Sequence, residues 1–194
     1  MKKLSLIVLL GMMMVLIASC AVGEKENTEE KNNEQDIEDK KEVDTEFGNQ
    51  IIEYEKRGTI EEKKSGDVEL DITDINVGKL EVNDEYKSDF DNKEEVTLVT
   101  IGMKAENKGK DKVSFYADQA VLTTNKGEQA EANLMVSEDV GGEFKEKDKK
   151  EGKVYYEVES KPEEIEKITL DVNGVSNKEF ESLGEDITVE IELD

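Results

Sequence analysis

The chain has 194 residues, with 50 Asp and Glu against 26 Lys and Arg, no His, no Trp, one Cys and one Pro. Without His, and with a single Cys, it has no Ser-His-Asp triad, Cys-His dyad, zinc finger or disulfide framework. A formal net charge of −24 repels phosphate backbones and anionic lipid, so nucleic acid is not an expected partner.

The N-terminus is the most specific stretch. Residues 1–19 carry only Lys2 and Lys3 as charges, and from Leu4 to Ile17 the chain is apolar apart from Ser5 and Gly11. That is short of the ~18–20 residues a stable membrane-crossing helix needs and matches the apolar region of a signal peptide. The run closes on Ile17-Ala18-Ser19-Cys20, which resembles a bacterial lipobox. The resemblance implies that Ile17, Ala18 and Ser19 are read by the signal peptidase and that residues 1–19 are removed. Cys20 would then be diacylglycerated on sulfur and become the first mature residue. The only Cys in the chain stands where that chemistry requires one. The alternative is an uncleaved anchor with an incidental Cys. Each buried CH₂ contributes about 0.8 kcal/mol, so two or three acyl chains of palmitate type hold a protein durably on a membrane.

Residues 20–50 follow as Glu, Lys, Asn, Asp and Gln, with eleven acids against four lysines between positions 24 and 46. Little here can be buried to offset the entropy of ordering, so a disordered acidic tether is expected. As a flexible coil it would span roughly 30 Å.

From residue 51 to 194 the pattern turns to short alternating runs, the mark of half-buried strands. Val68, Leu70 and Ile72 alternate with Glu69, Asp71 and Thr73, and then the phase slips to Ile75 and Val77, predicting a bulge near Asp74. Val99, Ile101, Met103 and Ala105 line one face of a long strand over 94–107. Val154, Tyr156 and Val158 form another face, as do Ile168, Leu170 and Val172, and Ile187, Val189, Ile191 and Leu193. Asn107-Lys108-Gly109, Asn125-Lys126-Gly127 and Asn173-Gly174 predict turns, Gly141-Gly142 a loop and Pro162 a break. No long amphipathic helix is evident. Residues 175–185, with Phe180 and Leu183, could form one helical turn. Met103 and Met135 are expected to be ordinary packing residues, and of Tyr155 and Tyr156 one should face inward and one outward. About seven strands at this spacing predict an all-β fold, an immunoglobulin-like β-sandwich.

The order of these runs carries a second resemblance. The strand ending in Ala105-Glu106-Asn107-Lys108-Gly109 is followed by a strand closing on Thr-Thr-Asn-Lys-Gly at 123–127. Then come the stretch 141–159 (GGEFKEKDKKEGKVYYEVE) and the strand 165–172. Over 58–194 this resembles the DUF4352 family of telokin-like, immunoglobulin-fold domains on Gram-positive lipoproteins. Lys150-Glu151-Gly152 lacks the Pro that the family often places before the aromatic strand. The family implies an extracytoplasmic sandwich and supplies no activity and no site residues.

Candidate chemistry is thin. Asp84, Asp89, Asp91 and Glu94 sit in the most acidic loop, and oxygen ligands in a flexible loop suit Ca²⁺. The spacing is not that of an EF-hand, and the competing reading is a solvated acidic loop with no metal site. Asp71 and Asp74, beside the bulge, read as the solvent face of a strand. No carboxylate pair is singled out for acid–base work, so no enzyme and no cofactor is expected. The expected function is a non-catalytic, lipid-anchored binding module on the outer face of a Gram-positive-type cell membrane. Its partners would be the membrane, through Cys20, and a protein or envelope component. The alternative is an acidic surface protein that binds Ca²⁺, other divalent cations or cationic peptides.

Overall fold

Alternation of buried and open positions runs through the computed structural model, which describes residues 41–193. Its eleven strands are β1 (Lys41–Thr45), β2 (Gly48–Ser65), β3 (Val68–Val82), β4 (Glu95–Asn107), β5 (Val113–Tyr116), β6 (Val121–Thr124), β7 (Gln129–Glu131), β8 (Gly141–Phe144), β9 (Lys149–Val158), β10 (Lys167–Val172) and β11 (Ile187–Glu192). The only helical segments among the described residues are short 3₁₀ turns at Lys87–Phe90, Ala117–Gln119 and Pro162–Glu164. A five-stranded antiparallel sheet runs β1-β2-β3-β4-β9, a four-stranded one β11-β10-β6-β7, and β5 pairs with β8.

The fold is the expected all-β sandwich. Rows of facing residues such as Val77, Val99 and Tyr156, or Ile75, Ile101 and Val154, cross the larger sheet. They pack in one core with Leu122, Ile168, Leu170, Val189 and Ile191 of the smaller sheet and with Phe115 and Phe144 of the β5–β8 pair. The expected bulge is present, as a register shift between Ile72 and Asp74. It keeps apolar residues inward on both sides of the slip.

Several expectations are corrected. Among the described residues the strands number eleven rather than about seven, because β5, β7 and β8 are only three or four residues long and β1 was not anticipated. Such pieces are too short to show a period. The domain does not start at residue 51. Residues 41–50, assigned to the tether, form β1 and the start of β2, and Phe47 in the turn between them is 4% exposed. β1 escapes a hydrophobicity reading because pairing with β2 holds it, from Lys41 opposite Ile52 to Thr45 opposite Gly48. The remainder of the predicted tether, residues 20–40, lies outside the described residues.

Gly141-Gly142 opens β8 and is not a loop. A Cβ on Gly141 would lie 2.0 Å from Asp118 Oδ1, so the glycine is needed for close approach, and Gly142 holds φ +97°. Residues 175–185 contain no helical turn. Ser176 bridges both Ser114 and Ser182, so the segment extends the edge of β5 and leaves Phe180 and Leu183 exposed. Met103 is fully buried as expected, whereas Met135 is 79% exposed.

Candidate functional site

The predicted anchor residues Ile17, Ala18, Ser19 and Cys20 lie outside the described residues. The predicted Ca²⁺ loop lies within them, as the β3–β4 connection, and it can be judged directly.

β3 changes face as it approaches this loop. Ile75 and Val77 point into the sandwich, while Leu80 and Val82 join Val96 and Leu98 of β4 on the opposite side of the sheet. An apolar patch there must be covered. The loop does so with Phe90, fully buried on the Lys87–Phe90 turn, and Phe47 closes the cluster from the β1–β2 turn. The Phe47 ring stands edge-on to Tyr86 at 5.2 Å, to Tyr155 at 5.2 Å and to Phe90 at 6.0 Å. Tyr155 is thus the outward neighbour of Tyr156, as predicted, but the outward face is itself covered. Burial foremost, then the charges of Glu138, Glu46 and Asp74, push the Tyr155 phenol up to about 12.

The four loop carboxylates do not converge. Lys87 Nζ lies 2.8 Å from Asp84 and 3.6 Å from Glu94, so one ammonium is shared between the two ends of the loop. Its hydrogen bond with Asp84 holds that carboxyl below its ordinary value and the lysine above its own. Asp89 and Asp91 turn the other way, into an open cavity of about 470 Å³ that Glu131, Glu157 and Glu159 also line. Among the described residues no group of three or more His, Cys, Asp or Glu side chains is placed to hold a metal ion.

Glu131, Glu157 and Glu159 were missed from sequence because they are 37 or more positions from the loop. The available signal was that 157 and 159 alternate with the inward Tyr156 and Val158. Asn133 secures the arrangement by donating from Nδ2 to the Asp89 carbonyl at 2.7 Å. Asp71, read as a solvent-face residue, receives a hydrogen bond from Lys104 Nζ at 2.6 Å on the open part of the sheet.

One buried carboxylate lies elsewhere. Asp118 is 9% exposed, and its Oδ1 has no hydrogen-bond partner; the fully buried Tyr156 hydroxyl has none either. Burial first, and then the charge of Asp139, push the Asp118 carboxyl up, against the pull of nearby backbone N–H groups and of the Lys150 charge. Burial and then the Asp118 charge push Tyr156 up as well. Lys150 is itself held by both Asp139 carboxylate oxygens at 3.1 Å and by the Gly141 carbonyl.

No family model matches the chain, and no curated protein matches it. Among solved structures, a functionally unknown protein from Listeria monocytogenes EGD-e is similar at a TM-score of 0.60 and 12% identity, over 76% of this chain and 89% of that one. What is shared is the fold. Two Bacillus subtilis proteins also match. For ycdA, a candidate lipoprotein, the TM-score is 0.48 and the identity 14%, over 71% of this chain and 39% of that one. For yjhA they are 0.45 and 18%, over 72% and 100%.

Proposed function

We propose that this chain is a lipid-anchored, extracytoplasmic and non-catalytic binding module of a Gram-positive-type cell envelope, of the DUF4352 kind. The observation that carries the reading is the placement of the only Cys at the end of Ile17-Ala18-Ser19-Cys20, behind a basic and apolar leader. Acyl chains on Cys20 would hold the protein at the outer face of the membrane, with the residues that follow it as the spacer. Among the described residues no helix is long and apolar enough to cross a membrane. Sandwiches of this type present loops at their ends and sheet faces as contact surfaces, which supports binding as their role.

The anchor is tested in cells. Wild-type chain should incorporate labelled palmitate, mature in a globomycin-sensitive step and fractionate with membranes. Cys20→Ala should lose the label and the membrane association. A Cys20→Ala chain that stays on the membrane uncleaved would mean that the leader, and not a lipid, is the anchor.

A further inference from the structure

Glu131 of β7 lines two adjoining cavities. On one side is the acidic cavity that receives Asp89 and Asp91. On the other is a second cavity of about 290 Å³, lined with it by Gln119, Val121, Ala132 and Leu134. Leu134 and Met135 stand beside Glu131 at 55% and 79% exposure. They are not loose. Asn133 Oδ1 accepts the Met135 N–H at 3.2 Å, the Asn133 carbonyl accepts the Ser137 N–H at 3.0 Å, and Val136 is packed into the Phe47 cluster. The turn therefore packs one half-buried apolar side chain against that cluster and holds two others out in water, where a free surface gains nothing from them.

We propose that this surface docks a basic peptide segment that carries an apolar side chain, with the apolar residue against Leu134 and Val121 and its Lys or Arg neighbours facing the carboxylates. This names the partner chemistry of the binding module proposed above and rests on that reading. Charge complementarity selects the occupant. Asp89, Asp91, Glu131, Glu157 and Glu159 face one ammonium among the described lining residues, and that ammonium, Lys93, is already bonded to Glu157 and Glu159. A cationic stem can lie along apolar surface while its head meets a carboxylate, which is the combination the two cavities offer side by side. Anionic lipid is repelled by this wall. A second copy of the chain, at −24, would bring like charge to it.

The test uses the purified full chain in detergent at physiological ionic strength. Fluorescence anisotropy is read with a labelled peptide of alternating lysine and leucine, against a glutamate–leucine peptide of the same length. A single saturable isotherm is expected for the lysine peptide alone. Asp91→Asn with Glu131→Gln should weaken it about tenfold, and Leu134→Ser with Met135→Ser by a similar factor. Glu61→Gln with Glu62→Gln, on β2, should change it by less than about twofold. The proposal is overturned if the β2 pair weakens binding as much, which would mean diffuse attraction, or if the serine pair has no effect. It is also overturned if the chain takes up stoichiometric Ca²⁺ that displaces the peptide, or dimerises through this face. Membrane attachment is read separately by fractionation of Cys20→Ala, so failure here leaves the anchor standing.

Discussion

The Phe47 ring meets the Tyr155 ring edge-on, with centroids 5.2 Å apart and planes at 83°. One residue lies in the turn after the first strand and the other on the last strand of the same five-stranded sheet, so the contact spans the sheet. It fixes β1 to the domain and covers Leu80, Val82, Val96 and Leu98.

Phe47→Ala should therefore cost about 3 kcal/mol in urea unfolding, the usual range for an aromatic removed from a packed site. A chain that begins at residue 51 should lose a similar amount and bind hydrophobic dye. Equal stability of chains beginning at 41 and at 51 would show that β1 and Phe47 are ornaments of the fold.

Asn107 is fully buried at the end of β4. Its Nδ2 donates to the carbonyls of Asp111 at 2.9 Å and Lys145 at 3.1 Å, and its Oδ1 accepts the Gly109 N–H at 2.9 Å. Asn107→Ala strands these groups and should destabilise by roughly 2 kcal/mol. Asn107→Asp should also lower the midpoint, since a carboxylate cannot donate to the two carbonyls. Differential scanning calorimetry reads both.

Asp118 works against the fold at neutral pH. Its folded carboxyl is pushed above the ordinary aspartate value, so the fold favours the protonated form, and the penalty of the buried charge is present above the folded pKa. That penalty fades as the pH falls through the folded value toward the ordinary one. Asp118→Asn should thus stabilise by roughly 1 kcal/mol at pH near 8, and the gain should vanish in acid near the ordinary aspartate pKa. A pH-independent difference would point to packing instead. Tyr156→Phe, which removes a buried hydroxyl without a partner, should leave Tm unchanged or raise it.

Calcium should find no built site in the β3–β4 loop. Lys87 occupies the space between Asp84 and Glu94, and Asp89 faces away from them. Calorimetry with millimolar Ca²⁺ should give weak, non-saturating heats that salt suppresses. Lys87→Met should not create a saturable site, because Asp89 and Asp91 still point elsewhere. A one-to-one isotherm in either protein would contradict the geometry.

Sequence alone determined the class of fold and the main core. In β3, β4, β9, β10 and β11 side chains alternate with period two, so the choice of Ile, Val and Leu at every second position commits those residues to one face before any partner is known. It also determined the bulge, since the slip from Ile72 to Ile75 can keep both inward only with a register shift. The tertiary structure alone decided where the domain begins, because β1 is held by backbone pairing and by one aromatic contact to a residue over a hundred positions away. It likewise decided the acidic wall and the exposed pair beside it. Asp89 and Asp91 meet Glu131, Glu157 and Glu159 only because three elements converge, while Lys87 draws Asp84 and Glu94 off. A string of like charges carries no record of which of them will share a face.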